Sequence, residues 1–336
     1  MIYAVVLGVI FLLRSLPAKI YVTIVSILLI LVSGLRGVNV GIDTFTYSNI
    51  YKSIGNNSLL QSLAVQDIEK GYIYFNYIVS RSFLGSFQFV VALSALLSVT
   101  VISVIILKYS YNTWLSFYIF VSMGLYTFGM SGLRQAIALA FTSLAFLCIA
   151  EKKIITFVAL VLLACSFHTS AAIFLPAFLF RYVKINKIMI TLYVVSCAAL
   201  YLFVELSFDF LNSYARLAYD KMDTGGLYTY SFYVITASIG LLVIDKENKD
   251  VKLVYFMLLA TIALWPIAKM HQALFRITYY YSVFLIIFIP NMLKSVAEKN
   301  LRVIMTGGYL AVSTYFFIDK IIFSNIQLLP YEFFWE

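Results

Sequence analysis

The chain has 336 residues, of which 63% are hydrophobic and only 12% charged; its mean hydropathy is +0.96 and its formal net charge +9. A soluble domain carries about 25% charged residues, so the composition excludes a soluble enzyme and a disordered chain alike. Apolar runs recur along the whole length with no polar block long enough to fold alone, which predicts a single polytopic membrane domain over residues 1–336.

A bilayer core of about 30 Å asks for about 20 helical residues, with a range of roughly 17–25. Residues 1–13 lack a basic flank and a small-residue cleavage site, and read as a retained span rather than a removed signal. The further predicted spans are 20–35, 86–107, 113–128, 132–150, 154–167, 169–180, 188–206, 229–244, 251–267, 274–290 and 303–318. The expected fold is all-α, a bundle of about ten to twelve transmembrane helices with a long outer loop and short interfacial helices. Residues 72–85 read as an interfacial or re-entrant helix leading into 86–107. Residues 154–180 have basic groups at both ends, which predicts a hairpin with His168 at its turn and Pro176 shortening or kinking the returning arm. The three cysteines, Cys148, Cys165 and Cys197, lie in apolar runs and read as small buried hydrophobes, with no disulfide or zinc site implied.

The polar connections fall into two sets. Residues 14–19, Lys108, 151–153, 181–187, 245–252 and 291–302 hold fourteen of the 24 basic residues and five of the 15 acidic ones, and therefore the whole excess of +9. By the positive-inside rule this set is cytoplasmic, and the charge then needs no nucleic acid to explain it. Both termini fall outside, as do the connections 36–71 and 207–228 and the aromatic-rich tail 319–336. Segment 207–228 reads as an interfacial helix followed by a hinge at Gly225–Gly226.

The outer set carries the residues with chemistry. A charge beside hydrocarbon is costly and lines a wet cavity or pairs with another charge. Arg36, Asp43, Glu69, Arg134, His168, Lys269, His271 and Arg276 all fall on this side. Arg134 and Gln135 follow Gly129 and Gly132, small residues that permit close approach. Tyr279 and Tyr280 lie three and four residues after Arg276 and share its helix face, and arginine with phenol hydroxyls suits phosphate oxygens. Asp43 and Tyr47, and Glu69 and Tyr72, are two acid–tyrosine pairs at helical spacing. His168, at the start of a helix, is disfavoured as imidazolium and is available as a base. No metal motif, Gly-rich phosphate loop or catalytic triad order stands out, so no metal or cofactor is expected.

These stretches carry a resemblance. The run LRGVNVGIDTFTY, then EKGY, GLRQAIALAF, SFHTSA and FRITYYY, set in a multi-span chain, resembles the EpsG-type branch of the Wzy polysaccharide polymerases. The resemblance implies a GT-C-like, metal-independent glycosyltransferase. It would join undecaprenyl-pyrophosphate-linked repeat units into O-antigen, capsule or exopolysaccharide at the outer face of the bacterial cytoplasmic membrane. Under it, His168, Asp43 and Glu69 are the candidate catalytic groups, and Arg134, Arg276, Arg36 and Lys269 bind pyrophosphate. Tyr47, Tyr72, Tyr279, Tyr280 and Gln135 line the glycan path. A flippase and a chain-length regulator of the same pathway are the implied partners. A lipid-linked oligosaccharide flippase, a membrane O-acyltransferase and a non-catalytic assembly protein are the competing readings.

Overall fold

The computed structural model describes residues 2–214, 226–245, 248–323 and 326–336, and all the regular elements among them are helical. Residues 215–225 of the second predicted outer connection, including Gly225 of the expected hinge, and residues 246–247 lie outside the described residues.

The chain opens with α1 (Ile2–Leu12) and α2 (Ala18–Gly34), joined through Pro17 and tied by Tyr21, whose hydroxyl donates to the Ile10 carbonyl at 3.1 Å. Three short helices follow, α3 (Thr44–Asn56), α4 (Leu59–Val65) and α5 (Lys70–Ser80). Ser58 and Gln61 close a capping box that starts α4. At about 1.5 Å per residue, the 11 residues of α5 are too short to cross a bilayer, which agrees with the interfacial reading of this stretch. Next come α6 (Phe87–Tyr109), α7 (Thr113–Ser122), α8 (Leu125–Ser131), α9 (Leu133–Ala150) and α10 (Ile154–Phe167). Ser86 caps α6 and Asn112 caps α7. A 3-10 helix occupies Thr169–Tyr182, followed by α11 (Lys187–Leu202), α12 (Val204–Tyr214), α13 (Leu227–Val243) and α14 (Lys249–Ala268). The chain finishes with α15 (Gln272–Phe275), α16 (Tyr279–Ser282), α17 (Leu285–Lys294) and α18 (Lys299–Ile318).

Among the described residues, Phe87–Tyr109, Leu133–Ala150, Lys249–Ala268 and Lys299–Ile322 are each long and apolar enough to cross a membrane as single helices. Two further candidates are broken. α11 and α12 meet at 74°, and the 273–282 segment meets α17 at 41°, where single spans over 188–206 and 274–290 were expected. The predicted span 113–128 is also divided, because Gly124 adopts φ +76°, a left-handed conformation that ends α7 and re-aims α8.

The 154–180 stretch is a hairpin. Phe157, near the start of α10, lies 6.0 Å from the Phe174 ring and 5.2 Å from the Phe178 ring, which a single continuous helix forbids. Its returning arm is a 3-10 helix of 14 residues containing Pro176, where an α-helical arm was expected. A 3-10 helix rises about 2.0 Å per residue, so this short arm extends about as far as a longer α-helix would.

Local contacts sort the connections between two ends. At one end Lys108 pairs with Glu151 at 3.8 Å, Asn291 bonds to the backbone of Tyr109 and Tyr111, and Arg181 bonds to the Ile149 carbonyl. These are connections of the basic set. The opposite end of α9 carries Arg134, about 24 Å away along the helix. Both termini gather there, with the rings of Tyr3 and Tyr331 at 5.9 Å.

The C-terminal segment straps the first loop at this same end. The amides of Gly37, Gly41 and Ile42 donate to the carbonyls of Glu332, Gln327 and Ile326, and the Phe334 amide donates to that of Leu35. Tyr331 donates to the Val32 carbonyl at 2.7 Å. Deleting residues 326–336 is expected to raise hydrogen exchange at the Gly37, Gly41 and Ile42 amides while the α9 amides stay protected. Unchanged exchange in the loop would show that the strap is dispensable.

Candidate active site

Glu69 is the N-cap residue of α5, but its side chain does not cap its own helix. It reaches across to the hairpin turn. Oε1 lies 2.9 Å from His168 Nδ1 and accepts the Thr169 amide at 3.0 Å. Oε2 pairs with the Arg134 guanidinium. Burial alone would raise this carboxyl; the His168 hydrogen bond, the Arg134 charge and the Thr169 amide overcome it and hold the group down at about 2. The side chains remain in reach of solvent, Glu69 at 11%, Arg134 at 22% and His168 at 27% exposure.

The approach of α5 to the hairpin depends on Gly71. A Cβ there would sit 2.8 Å from the Ser166 carbonyl carbon, two residues before His168. Glycine in EKGY is therefore what lets Glu69 reach the turn. His168 breaks the hairpin with an extended backbone, φ −157°, between α10 and the 3-10 helix, as expected for a residue at the start of the returning arm.

A second pair stands beside the first. Arg276 Nη1 donates to Asp43 Oδ2 at 2.7 Å, with both side chains about a quarter to a third exposed. Asp43 follows Gly41, whose φ of +98° and close approach to the Met130 carbonyl, 2.6 Å from a would-be Cβ, admit only glycine without strain. Gln135, next to Arg134 on α9, donates from Nε2 to the Arg276 carbonyl at 2.8 Å and so joins the two pairs.

Other residues singled out in the sequence take different positions. Arg36 was expected to meet pyrophosphate. It is 1% exposed, and its guanidinium donates to the carbonyls of Val40, Ser33 and Met130. The sequence showed a basic residue in a glycine-rich loop but not that three carbonyls converge there, so in the structure Arg36 clasps the loop from inside and does not face the site. Tyr72 and Tyr280 are fully buried, and Tyr47, Tyr279 and Gln135 nearly so, which withdraws their faces from a glycan. Tyr47 packs edge-on against Tyr72 and lies under the Arg134 guanidinium, whose carbon is 5.7 Å from the ring centroid. Tyr280 meets Ser170 at 3.2 Å, beyond His168 on the hairpin. These rings form the floor of the site. Lys269 sits 5.3 Å from the Tyr201 ring, and His271 Nδ1 accepts the Ala273 amide at 3.1 Å; neither contact involves the two pairs. Lys320 was not singled out. It donates to the Tyr279 hydroxyl at 3.0 Å, and the Tyr279 ring stacks on Phe128 at 4.2 Å. Its signal in the sequence was a lysine next to Asp319 within an apolar run.

The fold and site define a polytopic membrane protein with two arginine–carboxylate pairs and a histidine gathered at one end. The EpsG family model matches residues 19–333, nearly the whole chain, and the chain belongs to the EpsG family. Membership brings a polysaccharide polymerase-type glycosyltransferase activity and lipid-linked glycan substrates in general terms. No curated protein and no solved structure matches the chain.

Because the folded value for Glu69 is depressed, its stabilisation is complete above the ordinary carboxyl value of 4.5 and is lost as pH falls through about 2. Glu69→Gln is expected to lower the melting temperature at pH 7 and to flatten the acid-side loss of stability between those values. A Glu69→Gln protein with the wild-type acid profile would show that the pairing does not hold the hairpin turn.

Proposed function

We infer that the protein polymerises undecaprenyl-pyrophosphate-linked oligosaccharide repeat units into O-antigen, capsule or exopolysaccharide. The reaction takes place at the outer face of the cytoplasmic membrane, the face to which the positive-inside rule assigns the end bearing Glu69 and Arg276. The observation that carries this reading is the double engagement of Glu69, which sets an anion-binding guanidinium beside an oriented imidazole.

The chemistry follows from that arrangement. With Nδ1–H donated to Glu69, His168 holds its lone pair at Nε2. Nε2 takes the proton of an acceptor sugar hydroxyl as the oxygen attacks the anomeric carbon of the donor glycan. The bond from that carbon to the pyrophosphate oxygen breaks, and the electron pair leaves on the pyrophosphate. Arg134 and Arg276 meet the developing charge, exchanging their carboxylate partners for phosphate oxygens. The leaving group is a good one, so positioning contributes much of the acceleration. Neither step calls on a metal. Asp43 orients Arg276 in the absence of substrate and is the alternative base. Connection 36–71 forms one wall of the outward-facing cavity, and a flippase and a chain-length regulator supply and limit the substrate.

The test is a glycan ladder made by purified protein from lipid-linked repeat units. Arg134→Ala and Arg276→Ala are expected to reduce the ladder by about 10²–10³-fold, and His168→Ala by about 10²–10⁴-fold, while the protein still inserts and single repeat units persist. The absence of a ladder from folded wild-type protein with its cognate substrate would argue for transport or assembly. Full activity in His168→Ala would remove the imidazole from the mechanism.

A further inference from the structure

An apolar groove of about 550 Å3 opens directly beneath the Glu69–Arg134–His168 cluster. Its walls come from α5, α6, α9 and α10, through Phe75, Leu93, Leu97, Ile137, Phe141 and Phe167. Each wall residue near the top is covalently close to the cluster. Phe167 immediately precedes His168, and Ile137 lies one turn below Arg134 on α9. Phe75 lies two turns into α5 from Glu69. Phe75 and Phe141 both rest against the Phe167 ring, at 6.2 and 5.6 Å. Ile137 belongs to the buried cluster of Tyr47, Tyr72, Val91 and Leu133, and Phe75, Leu97, Phe141 and Phe167 pack on that cluster. The floor of the charged site and the wall of the groove are thus one packed unit.

The groove continues downward along α6 from Leu93 to Val101, about 12 Å of helix. Leu96, on the same wall, is 48% exposed and marks a lateral opening. The lining holds two polar residues, Ser94 and Thr100, and the Ser94 hydroxyl is taken by the Val90 carbonyl of its own helix at 2.7 Å. The lining is therefore almost wholly apolar and suits a hydrocarbon chain. The site above presents cations that exchange carboxylate for phosphate, and the groove below accepts a single flexible apolar chain.

We propose that this groove holds the first isoprenoid units of the polyprenyl chain of a lipid pyrophosphate, with its pyrophosphate against Arg134. This rests on the reading that the substrate is a lipid pyrophosphate, and it assigns that lipid to the α5–α6–α9–α10 face. The chain enters sideways past Leu96, and the glycan never crosses the bilayer core. Burial of the chain anchors the pyrophosphate at the depth of Arg134, in the first turn of α9, so the reacting end of the glycan stays level with His168.

The experiment measures binding of two probes that share a headgroup, undecaprenyl pyrophosphate and inorganic pyrophosphate, to the full chain in lipid nanodiscs. Wild-type protein is expected to prefer the lipid. Leu97→Trp, which fills the groove, is expected to weaken undecaprenyl pyrophosphate by about tenfold or more and leave inorganic pyrophosphate unchanged; Leu96→Trp, at the exposed mouth and less demanding of folding, is expected to act in the same direction. Arg134→Ala is expected to weaken both probes. Equal loss of both probes in the groove variants, or no loss in either, would overturn the proposal. Displacement of undecaprenyl pyrophosphate by phosphatidylglycerol at equal concentration would also overturn it, by showing an ordinary site for bilayer lipid. Glycan polymerisation is measured separately: a missing ladder with intact preference for the lipid over the bare headgroup refutes the polymerase, not the groove, and an intact ladder with no such preference refutes the groove alone.

Discussion

A carboxylate largely removed from water at the edge of a membrane keeps its charge only when opposite charge and hydrogen bonds replace the lost hydration. Glu69 meets that condition with three partners: a guanidinium from α9, an imidazole from the hairpin turn and the amide that follows it. These partners belong to two elements far apart in sequence, and Glu69 itself stands on a third. The requirement to satisfy one carboxylate therefore fixes α5, α9 and the hairpin relative to each other. Removing one partner leaves a poorly hydrated charge and costs more than the lost contact itself. The arrangement is also poised for an anion, since phosphate oxygens satisfy Arg134 as well as the carboxylate does.

The second pair extends the same logic. Asp43 is held by a loop that the C-terminal strap and the buried Arg36 brace from opposite sides, and Arg276 is tied through its carbonyl to Gln135. Arg134 and Arg276 consequently sit on adjoining ground although they are carried by different parts of the chain. Under the proposed reading these two cations meet the pyrophosphate, and each holds a carboxylate until substrate arrives. Below them the chain turns apolar at once, so the boundary between charge and hydrocarbon lies at the first turn of α9. That boundary is what a lipid-linked substrate itself possesses.

Much of this was legible in the sequence because the bilayer writes simple rules. Hydropathy marked the all-α membrane fold, and the charge partition separated the ends that the contacts around Lys108 and around Glu69 later occupied. The hairpin at His168 followed from basic groups on both flanks. The spans drawn as continuous over 113–128, 188–206 and 274–290 were less legible. Hydropathy reports how apolar a stretch is, not whether a glycine such as Gly124 turns left-handed within it. The 14-residue 3-10 arm escaped for a related reason, since its reach depends on rise per residue and not on length.

Within the site, residue types were legible and partners were not. Asp43, Glu69, Arg134, His168 and Arg276 stood out as charges or bases in a greasy chain, and the structure brings all five to one end. Which acid meets which cation depends on side-chain reach across helices, and no spacing encodes it. Arg36 shows the limit most plainly: by charge alone it resembles Arg134, yet three backbone carbonyls consume its donors. Tyr72 and Tyr280 were read as a glycan path because aromatics at helical spacing suit sugars, but the same spacing suits packing, and they are buried. Gly71 carried its signal silently, because close approach to Ser166 appears only once both helices are placed.

The central claim is that Glu69 holds His168 with its proton on Nδ1 and its lone pair on Nε2. The chain contains two histidines, so 15N labelling of histidine with His271→Gln as the assignment control resolves the His168 ring directly. At a pH where the ring is neutral, the account predicts a protonated Nδ1 and an unprotonated Nε2 in the wild-type protein, with the preference lost in Glu69→Gln. A wild-type ring protonated at Nε2, or a tautomer indifferent to Glu69→Gln, would contradict it.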